Sequence, residues 1–235
     1  MNLSTRWLVI SPHLDDGVFG CGALLARAPG SIVVTVFAGL PAPGTPAPDW
    51  DRQAGFDDAH TAMQHRRAED RAALSALDAT PVWLDFLDDQ YGDTPPDDAL
   101  ARQLGAVIDA HPYHGVAAPA GLFHSDHARV HRAMMTLWPR GPTARAWWCY
   151  EEAIYRRVDD LAQQRRDAWR SQGWRIERVG RDEHAPDPAD PGPQAAKARA
   201  VAAYASQTAL LDDGRLDDTA AEETYWRLTR APGAI

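Results

Sequence analysis

Cysteine is scarce: Cys21 and Cys149 are the two in 235 residues. That argues against a small secreted scaffold stapled by disulfides and makes a reducing compartment the simpler expectation. Long apolar runs are missing as well. None approaches the ~18 uninterrupted residues of a membrane span, and the N-terminus has no cationic head followed by a long apolar stretch, the mark of a secretory leader. A soluble, cytoplasmic protein is expected. Basic excess is also lacking. The formal charge is −9 and no basic stripe offsets it, which speaks against a nucleic-acid partner. Internal repeats are absent. The remainder is ordinary for a globular chain, 45% hydrophobic and 24% charged, and long enough to bury a substantial core.

Strands and helices alternate along the first two thirds. The stretches 6–11 (RWLVIS) and 31–39 (SIVVTVFAG) read as strands, with helical spacing over 17–30 between them. Strand, helix, strand is the unit of a parallel sheet. A Pro/Gly-rich loop over 40–56 is too long for a plain connection, and such loops often shape an active site. Helices are predicted over 62–79, 97–111, 125–138, 159–173 and 194–211, and strands over 80–87 and 115–120. A further strand opens the stretch 145–155, and 174–182 reads as a late strand. The Pro/Asp-rich stretch 182–193 reads as a loop. The tail carries no assignment. The fold class expected is α/β, a Rossmann-like doubly wound, mostly parallel sheet with helices on both faces, forming a single domain over 1–235.

Two polar clusters leave the carboxyl ends of predicted strands, where ligands bind in open parallel sheets. One is SPHLDDG, with His13, Asp15 and Asp16. The other is FHSDH, with His124, Asp126 and His127. His13 and Asp16 are three apart, and so are His124 and His127, a spacing that shares a face at a helix start. Each loop can aim two side chains at one point. Adjacent carboxylates repel and cost desolvation, which a cation among them would relieve. His and carboxylate ligands with one open position are the pattern of a catalytic zinc site. Singly, each residue has a plainer explanation: a helix N-cap for Asp15 or Asp16, a solvated loop position for His13, and positions flanking a turn for His124 and His127. Jointly, two such clusters at two strand ends favour the site. Spacing alone does not say which of His124 and His127 binds metal.

The segment PHLDDGVFGCGALLA resembles the PHxDD signature of the PIG-L/LmbE family of zinc-dependent N-deacetylases, and GLFHSDHARVHRA resembles its later HxDH motif. RRAEDRAALSAL, WLDFLDDQY and KARAVAAYASQ are weaker family-like features. The resemblance implies that His13, Asp16 and His127 hold Zn2+, that Asp15 is the general base, and that His124 stabilises the oxyanion or acts as an acid. It makes Asp126 a partner that fixes a histidine tautomer. Arg66 and Glu69 resemble an RxxE helix whose Arg faces substrate; a surface ion-pair cluster with Arg67 and Asp70 is the alternative. Asp88, or else Asp89, resembles an acidic substrate contact. Some family members carry a Tyr two residues before the first His of the second motif; Leu122 stands there in this chain.

Trp50, in the long loop, is a candidate to stack on a sugar ring. Tyr150, Glu151 and Glu152 follow a strand end and are candidates to line the pocket. Trp147, Trp148, Trp169 and Trp174 are expected in the core or in a subunit interface. The expected activity is removal of an N-acetyl or similar N-acyl group from a small-molecule substrate, an amino sugar or sugar conjugate. Two other readings stay open: a zinc amidase for a non-sugar amide, and a catalytically silent binding module. A homo-oligomer is compatible with the sequence.

Overall fold

A strand buried on both faces of a sheet must be apolar throughout. WLVIS meets that condition, and all five of its residues are buried. The computed structural model describes residues 5–92, 95–112, 114–139, 143–180, 192–211 and 213–230. In chain order it has β1 (Trp7–Ser11), α1 (Asp16–Ala26), β2 (Ile32–Thr35), a short α2 (Asp49–Gln53), α3 (Ala59–Ser75), β3 (Thr80–Trp83), α4 (Asp97–Ala110), β4 (Gly115–Pro119), α5 (Ser125–Leu137) and β5 (Trp147–Tyr150). Then follow α6 (Leu161–Ser171), β6 (Trp174–Arg178), α7 (Gly192–Ala202), α8 (Ala205–Thr208), α9 (Asp213–Ala220) and β7 (Tyr225–Arg230).

The sheet order is β3-β2-β1-β4-β5-β7-β6. The first five strands run parallel to one another. β7 runs antiparallel to both β5 and β6. Side chains alternate between two cores, as the period of two requires. Leu8, Ile10, Val34, Val116 and Ala118 join Leu104 and Met134 on one face. Trp7, Val9, Val33 and Ala117 join Leu25, Leu74 and Val201 on the other. Trp147, Trp148, Trp169 and Trp174 are all buried in these two cores.

Glycine in GVFGCG serves packing. A Cβ on Gly20 would lie 2.7 Å from the Tyr150 ring, and one on Gly22 would lie 2.6 Å from Lys197 Cγ. α1 can therefore approach β5 and α7 closely only without side chains at those two positions.

Two features depart from the sequence reading. The helix expected over 194–211 stops at Ala202 and resumes at Ala205, because the Tyr204 side chain is drawn into the core. Its hydroxyl donates to Asp70 Oδ1 at 2.7 Å. The tail supplies α9 and the strand β7, which lies between β5 and β6. The loop expected over 182–193 falls outside the described residues up to 191.

The strand order reverses between β1 and β4, which are direct neighbours. Such a reversal opens a crevice beyond the carboxyl ends of the two strands. β1 leads directly to His13, and β4 leads directly to His124. The two polar loops therefore face each other across the switch point.

Candidate metal centre and catalytic pocket

His13, Asp16 and His127 meet at one point. Asp16 Oδ2 is 3.2 Å from His13 Nδ1 and 3.0 Å from His127 Nε2. The two ring nitrogens are 3.2 Å apart. Metal–ligand bonds of about 2.0–2.1 Å at tetrahedral angles would place such donor atoms roughly 3.3 Å from one another. The triangle is thus close to the size a tetrahedral divalent ion requires, and one of its three side chains is a carboxylate. His127 is fully buried, Asp16 nearly so, and His13 is partly exposed toward the pocket.

A carboxylate lies beside the other nitrogen of each histidine. Asp126 Oδ2 lies 3.2 Å from His13 Nε2, which leaves Nδ1 for the focus. Glu152 Oε1 lies 3.3 Å from His127 Nδ1, which leaves Nε2. Opposite nitrogens of the two rings are therefore offered to the same point. Asp126 also accepts from the Asp89 N–H at 3.1 Å. Glu152 accepts from the N–H groups of Gly121 and Leu122 at 2.7 and 3.0 Å.

The charges agree with a place built for a cation. Burial works against ionised His127, yet Asp16 and Glu152 raise its pKa to about 9. Burial likewise opposes charge on His13, but Asp88, Asp126 and Asp16 hold it well above the usual histidine value. Asp16 is buried, and His127 and His13 nevertheless keep it well below the usual carboxylate range. In the metal-free site protons occupy the role a cation would take. His13, His124 and Asp126 also bring ligand atoms within 4.8 Å of one another. Asp126 Oδ2 is already committed to His13, however, and His124 Nδ1 accepts from the Asp126 N–H at 3.2 Å.

Asp15 occupies the N-cap position of α1, but its side chain makes no capping bond. The plain N-cap explanation therefore does not account for it. Asp16 Oδ2 instead accepts from the His13 N–H at 2.9 Å. Burial, then the neighbouring Asp16 charge, push the Asp15 pKa to about 7. His124 is the N-cap of α5. Because a backbone N–H occupies its Nδ1, the neutral ring carries its proton on Nε2. Burial, followed by His13 and His127, lowers its pKa. His124 is thus a neutral donor at neutral pH.

Asp15, Asp16, His13 and His124 line a cavity of about 340 Å³, with Trp50, Arg66, Asp88, Phe123 and Tyr155 among its other walls. Arg66 and Asp70 are buried, so the surface ion-pair cluster is not formed. Arg66 pairs with Asp51 and reaches Tyr91. Asp88, not Asp89, faces the cavity, 3.9 Å from His13 Nε2. Trp50 is anchored by a bond from Nε1 to Gln207 Oε1 at 3.2 Å. Tyr150 does not line the cavity; it is buried and donates to the Ile10 carbonyl at 2.8 Å. Glu151 pairs with Arg166 and Trp226. Glu152 supports His127 from behind, a role its strand-end position alone did not specify.

A family model described as PIG-L, GlcNAc-PI de-N-acetylase, matches residues 8–138. No curated protein matches significantly. Among solved structures, the deacetylase of the A40926 pseudoaglycone is similar over 97% of this chain and 98% of its own, at 26% identity and a TM-score of 0.72. The zinc-inhibited form of teicoplanin deacetylase is similar over 97% and 100%, at 26% and 0.71. N,N'-diacetylchitobiose deacetylase from Pyrococcus horikoshii shares the fold over 91% and 73%, at 16% and 0.53. With the matched segment running from β1 through α5 and spanning both polar loops, the chain belongs to the PIG-L family.

Proposed function

We propose that this protein is a zinc-dependent N-deacylase that removes an N-acetyl or similar N-acyl group from an amino sugar held in a conjugate. The observation that carries the reading is the focus of His13 Nδ1, Asp16 Oδ2 and His127 Nε2, with Asp15 and His124 on the wall of the same cavity. Family membership and the likeness to the A40926 pseudoaglycone and teicoplanin deacetylases support its deacylase part. The whole chain, 1–235, would then act as one catalytic domain.

A divalent ion held by His13, Asp16 and His127 would supply Lewis acidity and acidify a water. Asp15 accepts a proton from the attacking water, and its carboxyl then returns that proton to the departing amine nitrogen. His124 Nε2–H donates to the acyl oxygen as negative charge gathers there. A neutral donor suffices for that bond, so His124 need not be an imidazolium. Leu122 leaves no Tyr hydroxyl at its position, and the His124 donor takes up that work. Asp126 and Glu152 keep both metal-binding rings in the right tautomer. Arg66, Asp88 and Trp50 contact the sugar.

The test is amine release from a panel of N-acetylated amino sugars, their conjugates and N-acetylated amino acids. Zinc-loaded and chelator-treated protein are compared. Turnover on sugars that zinc restores is expected. Turnover confined to N-acetyl amino acids would favour the non-sugar amidase. Metal-loaded protein silent on every substrate would favour a binding module.

A further inference from the structure

Phe123 is the most exposed large hydrophobic residue among those described, at 68%. It also sits where the chain resists a bulky side chain. Its φ is +58°, and the His124 N–H donates to the Leu122 carbonyl across it at 2.7 Å. That is a three-residue turn with a positive central φ, a rare and strained form. Glycine would fit the turn with less strain. An exposed aromatic ring in a strained turn carries two costs, and neither is offset by burial.

The position of the ring explains both. Phe123 stacks on Tyr155, with ring centres 5.2 Å apart and planes 22° from parallel. Tyr155 in turn packs against His127, at 5.3 Å and 75°. Both aromatic residues line the catalytic cavity. The strained turn also delivers His124, the next residue, to the start of α5. One face of Phe123 is thus backed by Tyr155 while the ring remains largely open to solvent, two rings away from a metal-binding histidine.

We propose that the Phe123–Tyr155 pair is a stacking shelf for a flat apolar or aromatic aglycone, the part of the substrate attached to the amino sugar. The inference rests on the sugar-deacylase reading and adds the substrate's other half. The shelf is continuous with the cavity, so a sugar with its N-acyl group at the metal focus would carry its aglycone past Phe123. Stacking on an exposed ring gives about 0.5–1.5 kcal/mol beyond area burial, a preference of roughly 2- to 12-fold by that conversion.

Binding and turnover are measured separately. Phenyl glucoside, which has no amide, is titrated into wild type, Phe123→Ala and Phe123→Trp, and glucose is the control. Wild type and Phe123→Trp should bind phenyl glucoside several-fold more tightly than glucose, and Phe123→Ala should bind the two within about 2-fold. In turnover, Phe123→Ala should raise the ratio of KM for a phenyl N-acetylglucosaminide to KM for free N-acetylglucosamine several-fold, whatever it does to the two values in common. Equal binding of phenyl glucoside and glucose by wild type overturns the shelf, as does an unchanged preference in Phe123→Ala. If the phenyl preference is present and depends on Phe123 while no N-acetyl sugar is hydrolysed, the shelf stands and the deacylase reading fails.

Discussion

Glu152 Oε1 lies 3.3 Å from His127 Nδ1, and the same oxygen accepts the N–H groups of Gly121 and Leu122. One carboxylate therefore lies against both the ring of the histidine proposed as a metal ligand and the loop that carries the chain toward it. Glu152→Gln keeps an oxygen for the backbone donors but removes the negative charge facing the imidazole. Supporting carboxylates of this kind contribute about 10- to 100-fold in metal affinity. Zinc affinity measured by chelator competition should fall by roughly that factor, with the far-ultraviolet circular dichroism unchanged. An unaltered affinity would remove Glu152 from the site.

Asp15 is the residue whose cost has no structural return. It makes no capping bond, and it lies beside a second carboxylate. Asp15→Asn should leave zinc binding intact and thermal stability undiminished. Turnover should drop by about 10²–10⁴-fold, the usual cost of losing a general base. Near wild-type turnover would assign proton transfer to another group.

Much of this arrangement was legible in the sequence because strand ends and polar clusters coincided. His13 and His124 follow apolar runs directly, so their placement needed only the direction of the strands. What the sequence did not disclose came from distant pairings. Arg66 looked equally suited to a surface cluster, since its partner Asp51 lies fifteen residues earlier in a Pro-rich loop. YASQ had no visible role. It proves to be the counterpart of the RAED segment, with Tyr204 bonded to Asp70 and Ser206 to Glu69. Gln207 then holds Trp50 at the cavity. β7 was missed because its alternation is short and its partners, β5 and β6, are set by the topology alone.

In the proposed site, zinc and protons would compete for the same atoms. His127 carries a pKa of about 9 in the metal-free site, raised by Asp16 and Glu152 against the effect of burial. At neutral pH zinc must displace that proton. Apparent zinc affinity should therefore rise as pH rises from about 6 toward 9, about tenfold per unit for each proton displaced. Calorimetric titrations in two buffers of different ionisation enthalpy should register proton release at pH 7. A pH-independent affinity would contradict the assignment of His127 as a ligand.

His124 separates donation from ligation. Its Nδ1 caps α5, so His124→Ala should cost about 1 kcal/mol of stability and lower turnover while zinc stays bound. Because the wild-type ring is a neutral donor, the alkaline limb of the pH–rate profile should survive in the variant at a lower rate. Loss of zinc from His124→Ala, with retention in His127→Ala, would reverse the two assignments. Loss of the alkaline limb would make His124 an acid in its charged form.

His131 contributes stability that acid should remove. It lies one turn beyond His127 on α5, fully enclosed. Its Nδ1–H donates to the Pro119 carbonyl at 2.9 Å, and its Nε2 accepts from Trp169 Nε1 at 3.1 Å. Both nitrogens are used by the neutral ring, and protonation would break the second bond. Burial, then the nearby Arg165 charge, lower its pKa from 6.5 to about 3. The folded state thus binds fewer protons at this residue than the unfolded state between those values. Its contribution is full above pH 6.5 and is lost as pH falls toward 3. From about pH 7.5 to about pH 5 the loss amounts to roughly 2 kcal/mol. His131→Gln can keep a donor and an acceptor but cannot titrate. Urea unfolding of both zinc-free proteins at these two pH values should show wild type losing about 2 kcal/mol more than the variant. His13 and His127, whose pKa values are raised, act in the opposite sense and are common to both proteins, so they cancel in the difference. Equal losses would mean that His131 takes up its proton without unfolding the junction of β4, α5 and α6.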